Sequence, residues 1–219
     1  AGGGSLPLGL VEKHPGKLDV EVIDISNDVI QTALYVFGGK EVSERESISY
    51  QTIDGLEYVH NIEGSSDIDI LVVDVVDSAA EPDSALELPP AEFVTSQFLT
   101  AAKSKLTSDG WIVLNVLANR EKLGDITRLF LELFTSVYVC ATDPNYVFFL
   151  SNSNVCEKED ISETDIYKLA VEFEYDQDLC HSVLEDIRIT KEHVDDERLL
   201  GWFKHDLFLQ MLDNPSVDI

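Results

Sequence analysis

The chain has 219 residues, of which 44% are hydrophobic, so it can bury a sizeable core and is not an intrinsically disordered protein. Its 42 acidic and 15 basic residues give a formal net charge of −27, which repels nucleic acid phosphates and anionic lipid headgroups. We therefore expect neither a nucleic acid nor a membrane partner. The acids suit a solvated surface, and they equally favour a basic protein as the partner.

The three cysteines and five histidines indicate neither a disulfide framework nor a metal site. The cysteines stand far apart without a CxxC pair, and no histidine has a partner at metal-ligand spacing. We expect no bound metal. Widely spaced thiols are typical of proteins that stay reduced, which predicts a cytoplasmic location.

A glycine turn and an acid dominate the N-terminal segment. The turn Gly2–Gly4 precedes a predicted helix over 5–13 and a strand over Asp19–Ile25, in which Asp24 follows Gly4 by twenty positions. Glycines let the backbone approach a ligand closely, and an acid at this spacing accepts hydrogen bonds from ribose hydroxyls. Such a turn normally follows a strand, so we expect a first strand to be missing from this sequence and to lie upstream.

A second acidic turn follows the next strand. Helical spacing predicts a helix over Asn27–Phe37 that ends at the following glycine pair, then a strand over Ser47–Ile53 and a helical turn over Leu56–Asn61. Between the last two lies Asp54-Gly55. Its carboxylate is suited to accept from an adenine amine, and Asp-Gly is equally common in ordinary turns.

The segment Ile68–Val76 is predicted to be a central parallel strand buried on both faces, because its apolar character is continuous. It ends in DVVD, which contains Asp74 and Asp77. A carboxylate at the carboxyl end of such a strand can orient an amine and accept its proton. The alternative is that these acids only cap the loop over 77–90.

The remaining elements before residue 150 complete an α/β pattern. They are a helix over Ala91–Leu106, an LTSDG turn, a buried strand over Trp111–Leu117, a helix over Ile126–Phe134 and a closing hairpin of Val137–Ala141 with Tyr146–Leu150. This alternation predicts a Rossmann-like sheet with helices on both faces and an antiparallel last hairpin.

The C-terminal part differs from the rest in composition. We predict a nucleoside-binding domain over 1–150 and an acidic, helical extension over 151–219 packed on it. Helices are expected over Ile161–Ile189 and Asp195–Leu212. The second carries an aromatic stripe with Trp202, which favours packing over ligand binding.

Six motifs give the chain a family resemblance. GGGSLPL, VIDIS, IDGLEYV, DILVVDVVDS, PPAEFV and LTSDGWIVLNV occur in this order, and they resemble the spermidine-synthase-like class I methyltransferases over about residues 1–150. The resemblance implies a class I methyltransferase fold, S-adenosylmethionine as cofactor and methylation of a protein amine. Within the family, the chain resembles the branch that modifies translation elongation factor 1-alpha, which implies its N-terminal α-amine or a lysine as the acceptor.

The resemblance also implies roles for individual residues. Glycines of the turn line the methionine portion of the cofactor, Asp24 holds the ribose and Asp54-Gly55 meets the adenine. The implied cofactor-binding set is Gly2, Gly3, Gly4, Asp24, Ile25, Asp54, Gly55 and Asp74. The implied catalytic acids are Asp74, which faces the acceptor, and Asp77.

Two alternatives remain open. DVVD keeps the DxxD spacing with which aminopropyltransferases hold a polyamine, although it lacks the tyrosine that these enzymes place beside it and we expect no preceding hairpin domain. The chain is also compatible with a non-catalytic interaction module, because one fold hosts many functions.

Overall fold

The computed structural model divides the chain into two compact units, residues 1–63 and 64–219. The structure describes residues 4–44, 47–62, 67–76, 88–142 and 145–153. Within these ranges no helix has the length and apolar character needed to cross a bilayer. The predicted boundary at residue 150 stays a prediction, since all but the first three residues of the extension lie outside the described ranges. The upstream first strand also stays a prediction.

The described residues of unit 1 form a two-stranded parallel sheet and four helices. The strands pair in register from Val20 opposite Ile48 to Asp24 opposite Thr52. In chain order the elements are α1 (Ser5–Lys13), β1 (Val20–Asp24), α2 (Asn27–Tyr35), α3 (Gly39–Ser43), β2 (Ile48–Thr52) and α4 (Gly55–Asn61). The predicted strands and three of the helices are therefore present, and the short α3 was not predicted.

Helices lie on both faces of the unit 1 sheet. One face packs against α1, α2 and α3 through a cluster of buried side chains, namely Leu8, Val11, Val22, Ile30, Val42 and Ile48. On the other face, Glu21 of β1 accepts hydrogen bonds from Gln51 of β2 and from Tyr58 of α4. Alternating side chains along each strand thus separate an apolar face from a polar one.

The described residues of unit 2 form a mixed sheet of four strands in the order β3-β4-β6-β5. Its elements are β3 (Ile68–Val73), α5 (Ser96–Lys103), β4 (Leu106–Val116), α6 (Arg120–Leu133), β5 (Ser136–Thr142) and β6 (Asn145–Ser151), with a short 3₁₀ turn at Ala91–Val94 before α5. β3 and β4 are parallel, whereas β6 is antiparallel to both β4 and β5. The predicted antiparallel last hairpin is confirmed.

One face of this sheet forms the core of unit 2. Ile112 and Leu114 of β4 are fully buried there beside Phe148 of β6. The Phe148 ring meets Phe130 of α6 edge to face, with 5.1 Å between ring centroids. Burial of such large side chains is the main stabilising term of a domain of this size.

The prediction that Ile68–Val76 is buried on both faces is wrong. The strand ends at Val73, and Ile70 and Val72, which share one face, are 62% and 41% exposed. Among the described strands, β3 pairs only with β4 and is an end strand of its sheet. An apolar run indicates a strand, but it does not tell an end strand from a central one.

Two further boundaries differ from the prediction because of side-chain capping. The helix expected over Ala91–Leu106 is interrupted at Thr95. The Thr95 hydroxyl accepts from the Phe98 N–H at 3.2 Å, so Thr95 is the N-cap of α5. α6 begins at Arg120 rather than Ile126, since Asn119 Oδ1 accepts from the Lys122 N–H at 3.0 Å. Both are N-caps, which fix where a helix begins.

The expected LTSDG turn is part of β4. The pairing of β3 with β4 shifts register between Ile68 and Ile70, and Gly110 lies at this irregularity. A Cβ at Gly110 would stand 2.8 Å from the Ile68 carbonyl oxygen and 2.9 Å from Leu106 Cβ. Glycine is therefore required there for the close approach of two strands.

Replacement of Gly110 by alanine is expected to destabilise unit 2 by about 2 kcal/mol, because the new methyl group meets backbone rather than a movable side chain. Urea unfolding measures this loss. The matched control is Gly9→Ala in α1, where a Cβ would meet nothing within 4 Å. Equal stability of the two variants would contradict the close approach of β3 and β4.

Candidate functional site

Two acids lie at the carboxyl edge of the unit 1 sheet. Asp24 is the last residue of β1 and pairs with Thr52, the last residue of β2. The Ile53 N–H donates to the Asp24 carbonyl at 3.0 Å, so the parallel pairing extends one residue further, and Asp54 follows directly. Asp24, predicted to bind the ribose, and Asp54, predicted to bind the adenine, therefore lie at one edge of the sheet. Open α/β sheets bind ligands at this edge.

Local backbone bonds fix both carboxylates. Asp24 Oδ1 accepts from the Ser26 N–H at 2.8 Å. Asp54 Oδ1 accepts from the Leu56 N–H, also at 2.8 Å, and so caps α4, whose first residue is Gly55. The alternative for Asp54 was an ordinary turn; the structure instead makes it the N-cap of α4, a role that occupies one oxygen only. In the described ranges the other Asp54 oxygen has no hydrogen-bond partner and can accept from a ligand.

Of the predicted glycine turn, the structure describes Gly4. Gly4 has φ +83°, in the left-handed region, and begins α1 without a side-chain cap. A Cβ at Gly4 would lie 3.3 Å from Ala33 Cβ, which leaves little room for any side chain. Gly2 and Gly3 lie outside the described residues. The start of α1 thus offers backbone N–H groups without a side-chain cap, to which a ligand can bind.

A buried hydroxyl lies beside this turn. Tyr50 Oη stands 4.0 Å from the position that a Gly4 Cβ would take and, in the described part of the chain, has no hydrogen-bond partner. Burial raises the pKa of Tyr50, so the phenol remains neutral and able to donate. An unsatisfied donor beside an uncapped helix start is compatible with a polar, carboxylate-bearing ligand tail.

Ile25 extends from the same edge as Asp24. It directly follows β1 and is 71% exposed. An exposed apolar side chain next to a carboxylate suits a nucleoside, whose ribose is polar and whose base has apolar faces. The residues of unit 1 therefore fit an adenosyl ligand, and the implied roles of these residues stay predictions.

Asp74 lies in unit 2, one residue after β3, and is exposed. Its Oδ1 accepts from Asn115 Nδ2 of β4 at 2.9 Å, and Asn115 Oδ1 accepts from Asn145 Nδ2 of β6 at 2.8 Å. Neither asparagine was predicted as a site residue. The available signal was an asparagine inside an otherwise apolar strand, where this residue type is depleted. Asp77 lies outside the described residues.

Glu21 and Tyr58 form a second polar contact in unit 1. Burial, and then the hydrogen bond to the Glu21 carboxylate, raises the pKa of Tyr58 well above its ordinary value of 10.0. Folding therefore favours the neutral phenol. The resulting stability is complete below pH 10.0 and declines as the pH rises from there towards the raised pKa.

Tyr58→Phe is expected to cost about 1 kcal/mol at neutral pH, as the loss of a partly exposed hydrogen bond to a carboxylate. The variant should also lose less stability than the parent chain between about pH 9 and about pH 11. Urea unfolding across that range measures both effects. Parallel pH profiles for the two proteins would show that Tyr58 does not titrate in this way.

Comparison with known proteins gives related sequences of one kind. No family model matches the chain. It is 31% identical over 126 residues to eEF1A lysine and N-terminal methyltransferase of Mus musculus, covering 57% of this chain and 17% of that protein. The Homo sapiens protein of the same name is 30% identical over 143 residues, covering 63% of this chain and 20% of its own length. The chain thus spans about a fifth of the length of these curated relatives.

Solved structures with the same fold include a methyltransferase-like protein and a spermidine synthase, the two types of protein that the sequence motifs resemble. Human methyltransferase-like protein 13 in complex with SAH matches with a TM-score of 0.63 and 24% identity over 91% of this chain and 84% of that chain. Spermidine synthase from Thermotoga maritima matches with a TM-score of 0.61 and 18% identity over 92% of this chain and 66% of that chain. The predicted resemblance is confirmed: the chain is similar in sequence to the eEF1A methyltransferases and has the fold of the class I methyltransferases and spermidine synthases.

Proposed function

We propose that this chain is the catalytic domain of an S-adenosylmethionine-dependent methyltransferase that acts on a protein amine. The observation that carries the proposal is the pair of carboxylates, Asp24 and Asp54, held at one sheet edge of unit 1, whose helix α1 follows Gly4 without a side-chain cap. The sequence similarity to methyltransferases supports the same conclusion.

The predicted site residues of unit 1 bind different parts of the cofactor. Asp24 accepts hydrogen bonds from the ribose hydroxyls, and the free oxygen of Asp54 accepts from the adenine amine. Gly2, Gly3 and Gly4 let the backbone approach the methionine portion, while Ile25 contacts the base. The bound cofactor supplies a methyl group on a positively charged sulfur.

Asp74 and its neighbours act on the acceptor. An amine attacks only as the neutral base, so its proton must leave first. The Asp74 carboxylate orients the amine and accepts that proton, directly or through a water molecule. Most of the rate enhancement comes from alignment of nitrogen, methyl carbon and sulfur, because little other chemistry is needed. We assign Asp77 a secondary contact with the same amine.

The acceptor we propose is translation elongation factor 1-alpha, at its N-terminal α-amine or at a lysine. The names of the related proteins support this acceptor. A net charge of −27 favours approach of a basic protein surface. We also propose a cytoplasmic location, because three widely spaced cysteines without a CxxC pair are typical of proteins whose thiols stay reduced.

Calorimetric titration with S-adenosylhomocysteine and with methylthioadenosine tests the cofactor. Both contain adenosine and sulfur, but only the first carries an amino acid tail. We expect tighter binding of S-adenosylhomocysteine, because the uncapped start of α1 and Tyr50 Oη can bind that tail. Tighter binding of methylthioadenosine would contradict the methyltransferase, and no binding of either would favour a non-catalytic interaction module.

Aminopropyl transfer to a polyamine is the second candidate. A spermidine synthase in complex with the transition state analogue AdoDATO matches this chain with a TM-score of 0.64 and 17% identity, and the chain keeps the DVVD spacing. This candidate requires decarboxylated S-adenosylmethionine as the donor. Incubation of the chain with that donor and putrescine, followed by chromatography for spermidine, distinguishes it from methyl transfer.

A further inference from the structure

Three polar side chains form a hydrogen-bonded network across three strands of unit 2. Asp74 follows β3, Asn115 is the next-to-last residue of β4, and Asn145 begins β6. The pairing of Val73 with Leu114 brings Asp74 opposite Asn115, and the pairing of Asn115 with Val147 brings Asn145 within two residues. The register of the sheet therefore creates this contact.

The Asp74 carboxylate determines which atom donates and which accepts in both hydrogen bonds of this network. An ionised carboxylate only accepts, so Asn115 must present its amide nitrogen to Asp74. The amide oxygen of Asn115 then faces β6 and needs a donor, which Asn145 Nδ2 supplies at 2.8 Å. A reversed Asn115 amide would place oxygen against oxygen on one side and nitrogen against nitrogen on the other.

The exposure of the three side chains indicates the role of this hydrogen-bonded network. Asp74 is exposed, whereas Asn115 and Asn145 are half-buried. On the same sheet face, the row before it is Val72 beside Val113. Half-burying an amide costs free energy unless the amide is hydrogen-bonded. The two asparagines therefore add little stability to the core, and their hydrogen bonds instead fix the orientation of the Asp74 carboxylate. Asp74 Oδ1 is occupied, and Oδ2 has no partner in the described part of the chain.

We propose that Asn115, itself oriented by Asn145, is a positioning residue for the acceptor reaction. It holds one oxygen of Asp74 so that the other faces the incoming amine and takes its proton. This inference rests on the proposed function. Loss of a hydrogen bond to a charged group leaves Asp74 free to rotate, and we expect turnover of Asn115→Ala to fall by about 10- to 30-fold.

The sheet offers a matched control at its other end. Thr107 Oγ1 of β4 donates to Asp69 Oδ1 of β3 at 3.0 Å, which is the same type of contact between the same two strands. Thr107→Val removes that bond away from the proposed site and should leave turnover unchanged. Both variants should bind S-adenosylhomocysteine as the parent does, since unit 1 is untouched.

A double-mutant cycle on the full chain tests the positioning role. If Asn115 acts through Asp74, Asn115→Ala lowers turnover in the parent and has no further effect in the Asp74→Ala background. Asn145→Ala should lower turnover by a smaller factor, and only while Asn115 is present. Equal losses from Asn115→Ala in both backgrounds would overturn the inference.

A second measurement does not depend on activity. In ¹⁵N-labelled chain, the Asn115 side-chain amide resonance should shift in Asp74→Ala and stay in place in Asp69→Ala. An unmoved resonance in Asp74→Ala would overturn the hydrogen bond itself. Absence of methyl transfer by the parent chain would instead overturn the proposed function, so the two failures are distinguishable.

Discussion

Asp24→Ala is expected to lower the affinity for S-adenosylhomocysteine by at least about 100-fold, because two ribose hydroxyls lose a charged acceptor in a site shaped around it. The larger effect should be on binding. Asp24 accepts from the Ser26 N–H, so the alanine variant also loses a local bond worth about 1 kcal/mol. Calorimetry and thermal unfolding together separate these two losses.

Two further variants sharpen this test. Asp24→Asn keeps an oxygen for the Ser26 N–H but loses the charge and the second acceptor oxygen, so it should fold as the parent does and still bind weakly. Asp19→Ala removes an acid just before the start of the same strand, where Asp19 accepts from Ser47 Oγ at 2.8 Å. Asp19→Ala should bind normally. A loss of affinity as large as that of Asp24→Ala would point to net charge as the cause.

Asp74→Ala is expected to lower turnover by about 100- to 1,000-fold with unchanged S-adenosylhomocysteine affinity, because the amine loses the group that orients it and takes its proton. The matched control is Asp69→Ala, which removes an acid from the other face of β3. Initial rates of methyl transfer, together with calorimetry, give both quantities. Unchanged turnover in Asp74→Ala would remove Asp74 from the mechanism.

Much of the fold follows from local sequence patterns. The strands β1 and β2 and the closing hairpin were predicted to within about two residues, because β-branched runs bounded by turn residues are local signals. The short α3 after Gly38 was missed, since five residues are too few for helical periodicity to show.

The errors in unit 2 come from contacts distant in sequence. LTSDG has strong turn chemistry, yet pairing with β3 makes it part of a long strand whose Gly110 lies against Ile68. The exposure of Ile70 reflects the position of β3 at the end of its sheet, which no local pattern encodes. Tertiary pairing overrode local turn preference in the first case, and in the second the place of β3 among the described strands was not encoded locally.

The candidate site divides in the same way. Asp24 and Asp54 were predicted because the ends of parallel strands meet at one edge, which is a rule of topology. The bond between Asn115 and Asp74 joins residues 41 positions apart, and its existence depends on strand order and register. Such a partner becomes visible only once the sheet is assembled.

Mass spectrometry of translation elongation factor 1-alpha, incubated with this chain and S-adenosylmethionine, tests whether the chain is a protein methyltransferase. We expect added methyl groups on the N-terminal α-amine or on a lysine, with the Asp24→Ala chain inactive and the Asp19→Ala chain active. An unmodified factor, with the parent chain forming spermidine from putrescine and decarboxylated S-adenosylmethionine, would contradict it.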